Sequence, residues 1–187
     1  MAIKGGSMKN QPMQFLIDGI DRLGKSSLAN NIMDRVGYRL MIHYDKPKLL
    51  SKYANRSSDP LRLYQEMCNE TMFDLIDSGM GIITDRTHLG ELVYAPMYRG
   101  YDGDYVLRLE RNAYTDDCRL ILLITTNFDM LEDDGESFDF SKKEEEQAKF
   151  LEAFRESSIK DKIIIDVHDG NGGYKDYSQI LVEALKL

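Results

Sequence analysis

The sequence predicts an α/β fold: a five-stranded parallel sheet with helices on both faces. Three observations predict it. Short apolar runs alternate with amphipathic stretches from Met13 to Leu185. A glycine-bounded turn, Gly19 to Ser26, separates the first apolar run from the first amphipathic stretch. Polar residues, Asp18, Asp45, Asp85, Asn127 and Asp169, stand at or just beyond the ends of the five runs. In sheets of this kind ligands sit outside the carboxyl ends of the strands, so these side chains are expected to gather there.

In order, the first strand covers Met13 to Asp18, the first helix Lys25 to Arg35 and the second strand Tyr38 to His43. Pro47 and the polar run 55–60 mark a loop, and Asp59-Pro60 then opens a helix. In it Leu61, Tyr64, Met67, Cys68, Met72, Leu75 and Ile76 recur at helical spacing until Gly79. Gly81 to Thr84 is a short buried strand that delivers Asp85-Arg86. Thr87 to Gly103, rich in Tyr, Pro and Gly, reads as irregular or broken helix. A helix from Asp104 to Tyr114 and the most apolar strand, Leu120 to Thr125, follow. Beyond an acidic turn at Glu132 to Glu136, Ser141 opens a charged helix through Glu156, with Ser141 and Glu144 spaced for a capping box. The last strand is Lys162 to Val167, and a glycine loop leads to a closing helix, Tyr174 to Leu185.

A chain of 187 residues suits one domain with a full core. Residues 8–187 read as that domain, and residues 1–7 as the remnant of an expression tag. A net charge of −8 gives no global attraction to nucleic acid or anionic lipid, which lowers a polynucleotide substrate without removing it. No apolar run approaches the ~20 residues of a membrane span, and no secretory leader is expected. Cys68 and Cys118 read as free thiols in a reducing, cytoplasmic setting. The three histidines lack zinc-ligand spacing.

Gly19-Ile20-Asp21-Arg22-Leu23-Gly24-Lys25-Ser26 fits G-x-x-x-x-G-K-[ST], the phosphate-cradling loop. Its glycines let successive N–H groups turn onto an anion, and the helix N-terminus that follows adds positive potential. Gly19, Ile20, Asp21, Leu23, Gly24, Ser26 and Ser27 are therefore the nucleotide-binding candidates. Lys25 is expected to reach the terminal phosphates of ATP and Ser26 a magnesium ion. Two readings fit Arg22: a transition-state charge supplied in cis, or a solvated loop-tip arginine. Asp21 is expected to turn toward the acceptor, where it can accept from a sugar hydroxyl.

Asp85-Arg86 looks at the same site from the end of a buried strand. Asp85 can hold magnesium through water, and Arg86 can clamp the acceptor or the moving phosphoryl group. His88, Glu91, Tyr94, Tyr98, Arg99 and Tyr101 crowd into one segment, as a stacking floor for a base or as core packing. Asp45 is either a general base for an acceptor hydroxyl or a turn residue before Lys46-Pro47. Water must be excluded during transfer, so residues 131–150 are expected to close as a lid.

Together these motifs resemble the thymidylate kinase and deoxynucleoside kinase branch of phosphate-loop kinases, which implies a nucleoside-monophosphate-kinase-like fold. Asp18 to Ser27 resembles that branch's E-G-x-D-x-x-G-K-S-T loop, and Asp85-Arg86 its D-R-Y or D-R-S motif. Tyr94 falls where thymidylate kinases carry a tyrosine. Thymidylate kinases with an arginine in this loop lack one in the lid; here Arg22 is in the loop and Asp129 to Phe150 holds lysines only. Gly90 replaces an expected serine, and Asp45-Lys46-Pro47 stands where an arginine would clamp the acceptor phosphate. The resemblance implies Mg-dependent transfer from ATP to a pyrimidine deoxynucleoside monophosphate. Lys25, Arg22 and Arg86 would be catalytic, Ser26 and Asp85 the metal residues, and Asp21, Asp45, Arg86, Tyr94 and Arg99 would face the acceptor. A deoxynucleoside kinase, or a kinase acting on a hydroxyl of a modified base or polynucleotide, is the alternative. The resemblance also suggests a homodimer.

Overall fold

The computed structural model describes residues 12–38, 40–43, 58–133, 135 and 139–186. Its five strands are β1 (Gln14–Asp18), β2 (Leu40–His43), β3 (Ile82–Asp85), β4 (Cys118–Ile124) and β5 (Asp161–Asp166). They form one sheet in the order β2-β3-β1-β4-β5, and every pairing is parallel. The α-helices are α1 (Lys25–Val36), α2 (Ser58–Asp77), α3 (Leu89–Tyr94), α4 (Tyr105–Asn112), α5 (Lys143–Glu156) and α6 (Tyr177–Leu185). Because parallel strands need crossovers, the two central strands are covered on both faces, and β1 and β3 are buried at every position. The core runs from Leu16, Ile17 and Ile83 through Leu28 and Ile32 of α1 to Phe150 of α5.

Register carries the site. Asp85 lies opposite Ile17 of β1 and His43 of β2, so β1, β3 and β2 end side by side. On the far side of β1, Gly19 holds φ +137°, and a Cβ there would lie 2.3 Å from the Leu123 carbonyl oxygen. The turn after β1 is thus pressed against β4 in a way only glycine allows.

The expected elements are all present, with four shifts. The capping box at Ser141 does not form. Asp139 instead caps a 3₁₀ turn, Phe140–Lys142, accepting from the Ser141 amide at 3.1 Å and the Ser141 hydroxyl at 2.6 Å. A carboxylate two residues earlier is the stronger acceptor, so α5 begins at Lys143. The closing helix starts at Tyr177, where Asp176 accepts from the Ser178 amide at 2.7 Å, while Tyr174 pairs with His168 as an antiparallel bridge. Helix α4 is shorter at both ends than its apolar pattern suggests. The irregular segment after β3 is α3 running into a π-helical turn, Ala95–Arg99, a local widening often found at functional sites. Residues 1–7 and Asp45-Lys46-Pro47 lie outside the described residues. Among the described residues no helix is long and apolar enough to cross a membrane.

Candidate functional site

The loop after β1 contributes backbone more than side chains. Ile20 and Leu23 are buried in the core, and Gly24, at φ +80°, forms the left-handed step into α1. Lys25 is 6% exposed; its Nζ donates to the carbonyls of Gly19 at 2.9 Å and Ile20 at 2.7 Å. Burial pushes its pKa down, while the carboxylates of Asp21, Asp18 and Asp85 pull it back. Ser27 lies in the first turn of α1, and Ser26 beside it is an exposed residue whose hydroxyl turns in to donate to Asp85.

Asp21 is the centre of the charged cluster. Arg86 donates to its Oδ1 at 3.1 Å, Lys25 Nζ lies 3.8 Å from the same oxygen, and Lys143 Nζ lies 3.7 Å from Oδ2. Burial raises the Asp21 pKa, but Lys25, Arg86 and Lys143 together outweigh it and hold the carboxyl below its usual range. Arg86 reaches Asp21 from a left-handed backbone, φ +74°, immediately after β3. A non-glycine residue with that geometry is rare and marks a turn the surrounding structure must enforce.

Asp85 is 1% exposed. Its Oδ2 accepts from the Ser26 hydroxyl at 2.5 Å and lies 2.7 Å from His43 Nδ1. Its Oδ1 is buried with no hydrogen-bond partner among the described residues. A buried carboxylate oxygen left over beside a serine hydroxyl is a hard-oxygen donor set, and it suits Mg²⁺. Ser26 and Asp85 therefore fit the ion that the phosphate loop implies.

Asp18, by contrast, is fully engaged. It accepts from the amides of Gly19, Thr87 and Gly90 and from the Thr87 hydroxyl, at 2.7 to 3.1 Å. It ties the phosphate loop to the turn after β3. Burial raises its pKa, with Lys25 and these hydrogen bonds opposing. Asn127 and Asp169 shape their own loops, accepting from Asp129 and from Asn171 and Gly173.

The aromatic segment packs inward. Tyr94 is 8% exposed, edge-on to Phe150 at 5.6 Å between ring centroids. Burial, then the charges of Asp21 and Glu146, push its hydroxyl pKa well up. Arg99 pairs with buried Glu91, which also accepts from Tyr101 at 2.7 Å and Tyr105 at 3.0 Å. Arg99 and Tyr101 thus meet at Glu91, while Arg86 meets Asp21. Arg22, at φ +77°, accepts from the Tyr174 hydroxyl at its carbonyl, 2.9 Å. Its side chain lines a separate cavity of about 370 Å³ with Met130, Glu132, Tyr174 and Tyr177.

Sequence reasoning singled out neither His43 nor Lys143 nor Glu146. His43 closes an apolar strand pattern and carries no spacing of its own. Lys143 does carry a signal: a cation in the first turn of a helix opposes the helix dipole. The three glutamates after it disguise that signal as ordinary charge complementarity.

No family model matches the chain, and no curated protein sequence matches it. Solved structures do share its fold. The YorR protein from Bacillus subtilis, solved in complex with phosphorylated GDP, matches with a TM-score of 0.65 at 15% identity, over 92% of this chain and 94% of that one. Thymidylate kinase from Candida albicans matches at 0.62 and 19% identity, over 94% and 90%. Deoxyadenosine kinase from M. mycoides, with dCMP bound, matches at 0.58 and 12% identity, over 94% and 100%. The fold is that of phosphate-loop NTPases of the nucleoside-monophosphate-kinase-like architecture.

Proposed function

We propose that this chain is a magnesium-dependent phosphotransferase that moves the γ-phosphoryl group of ATP to a nucleotide or nucleoside, a pyrimidine deoxynucleoside monophosphate such as dTMP in the first instance. The observation that carries this reading is the convergence of Lys25 and Arg86 on Asp21 beside the Ser26–Asp85 pair. Phosphoryl transfer asks for positioning and charge, and the protein needs no covalent chemistry of its own. The amides of the Gly19–Ser26 loop would cradle the phosphates, with Lys25 leaving the loop carbonyls for them. Ser26 and Asp85 would hold Mg²⁺, which neutralises charge on the β- and γ-phosphates when bound. Arg86 and Asp21 would orient the acceptor, Asp21 at a sugar hydroxyl.

Arg22 would bring positive charge to the moving phosphoryl from within the loop, its left-handed turn steadied by Tyr174. Tyr94 and Arg99 would wall the acceptor side, Arg99 through its hold on Glu91. Asp45 remains the proposed base if the acceptor is a hydroxyl. A soluble, cytoplasmic homodimer is the setting this reading favours.

The test is ADP formation from ATP and Mg²⁺ with dTMP, thymidine or an oligonucleotide, measured side by side. Acceleration by dTMP supports the monophosphate reading, and acceleration by thymidine or the oligonucleotide alone moves the assignment to a hydroxyl acceptor. No acceleration by any of them overturns the kinase reading.

A further inference from the structure

Lys143 occupies a costly position. It stands in the first turn of α5, where the helix dipole disfavours a cation, and it is only 4% exposed. Its Nζ lies 2.8 Å from Glu146 Oε2 and 3.7 Å from Asp21 Oδ2. Glu146 is itself fully buried, and its second oxygen accepts from the Tyr98 hydroxyl of the π-helical turn at 2.7 Å. A buried ion pair is a poor device for stability, because apolar residues of similar volume commonly replace one at no loss. Packing therefore gives no reason for a lysine here. What the position does provide is a third cation at Asp21, brought from a different element than Lys25 of α1 or Arg86 after β3.

We infer that Lys143 is a further catalytic residue, donating to the moving phosphoryl group, and that Glu146 and Tyr98 are positioning residues that aim it. This rests on the phosphotransferase reading above. In the transfer, the bond between the γ-phosphorus and the β,γ-bridging oxygen breaks with its electron pair left on ADP. A lone pair of the acceptor oxygen forms the new P–O bond. A phosphate acceptor attacks as its dianion, the main form at neutral pH, and loses no proton; a hydroxyl acceptor gives its proton to the proposed base, Asp45. Negative charge spreads over the three equatorial oxygens meanwhile, and an ammonium fixed in a dry site stabilises one of them without reorganising. Asp21 holds the three cations together until the phosphoryl group replaces it as the partner of Lys143.

The experiment compares full-length wild type with Lys143→Met, Lys143→Arg and Tyr98→Phe. ADP formation from ATP and Mg²⁺ is followed with dTMP, thymidine, oligonucleotide and water alone as acceptors. Affinity for a fluorescent ADP analogue and the urea unfolding midpoint are measured on the same proteins. Lys143→Met should lower kcat per folded molecule by about 10²- to 10³-fold, the range for losing one transition-state donor, with ADP affinity unchanged. Because it leaves the buried Glu146 without its cation, it should also lower the unfolding midpoint, which Lys143→Arg should restore. Lys143→Arg should recover kcat to within about tenfold, and Tyr98→Phe should lower kcat several-fold at constant KM. The inference is overturned if Lys143→Met keeps kcat within about threefold, or if its loss follows reduced stability and arginine does not rescue it. A wild type that forms no ADP with any acceptor, water included, overturns the phosphotransferase reading itself. An active wild type with an equally active Lys143→Met overturns the role of Lys143 alone.

Discussion

Asp18 and Asp85 end neighbouring strands of one sheet, and each is 1% exposed. Asp18 accepts from four donors on Gly19, Thr87 and Gly90, all of them buried. Asp85 spends one oxygen on Ser26 and His43, both of which reach solvent, and its other oxygen has no partner among the described residues. Burial alone therefore does not separate a carboxylate saturated by its neighbours from one with an oxygen left over. What separates them is whether water could serve the donors if the carboxylate were removed.

Substitutions sharpen that contrast. Asp85→Asn should lower ATP turnover by about 10³-fold, since the proposed Mg²⁺ site would lose its charge, while the urea midpoint stays at or slightly above wild type. A comparable loss of activity and stability together would erase the distinction from Asp18. Asp18→Ala should do the reverse, costing about 3–5 kcal/mol in urea unfolding because four buried donors lose their acceptor. Activity per folded molecule should remain measurable.

The smallest expected effect is on pH dependence, and it extends the contrast to Asp21. The folded pKa of Asp21 is depressed, so its contribution to stability is present above the usual carboxylate range and is lost as pH falls through the lower folded value. Asp18 has a raised folded pKa, so acidification through the usual range favours the folded state at that residue. Asp21→Asn should consequently lose less stability than wild type between pH 6 and pH 3 (about the span of carboxylate titration), read from urea midpoints at each pH. Equal slopes in the two proteins would remove Asp21 as an acid-sensitive anchor.

Most of the architecture was legible in the residue pattern. Apolar runs alternating with amphipathic stretches named all five strands, most plainly where a strand is buried on both faces, as β3 is, and must be apolar almost throughout. Helix starts were less legible. Asp139 and Asp176 cap turns that pattern reading assigns to Ser141 and Tyr174, since capping turns on which acceptor lies nearest the free amides. In the candidate site, Lys25, Ser26, Asp85 and Arg86 are singled out by motif, and the structure brings them together around Asp21 and Asp85. Arg99 reads in sequence as facing the acceptor, and Glu91 as part of a stacking floor or of core packing, yet the two form a pair whose carboxylate also receives Tyr101 and Tyr105.

What the sequence by itself determined was the phosphate loop and the succession of strands and helices along the chain around it. The loop is eight consecutive residues, and its geometry depends on two glycines and the helix they start, all of them local. What only the tertiary structure decided was the company Asp21 keeps. Arg86 arrives from the neighbouring strand, and Lys143 from a helix far along the chain. Parallel crossovers bring both to one carboxylate, and a charge interaction depends on distance and burial, which no spacing in the sequence records.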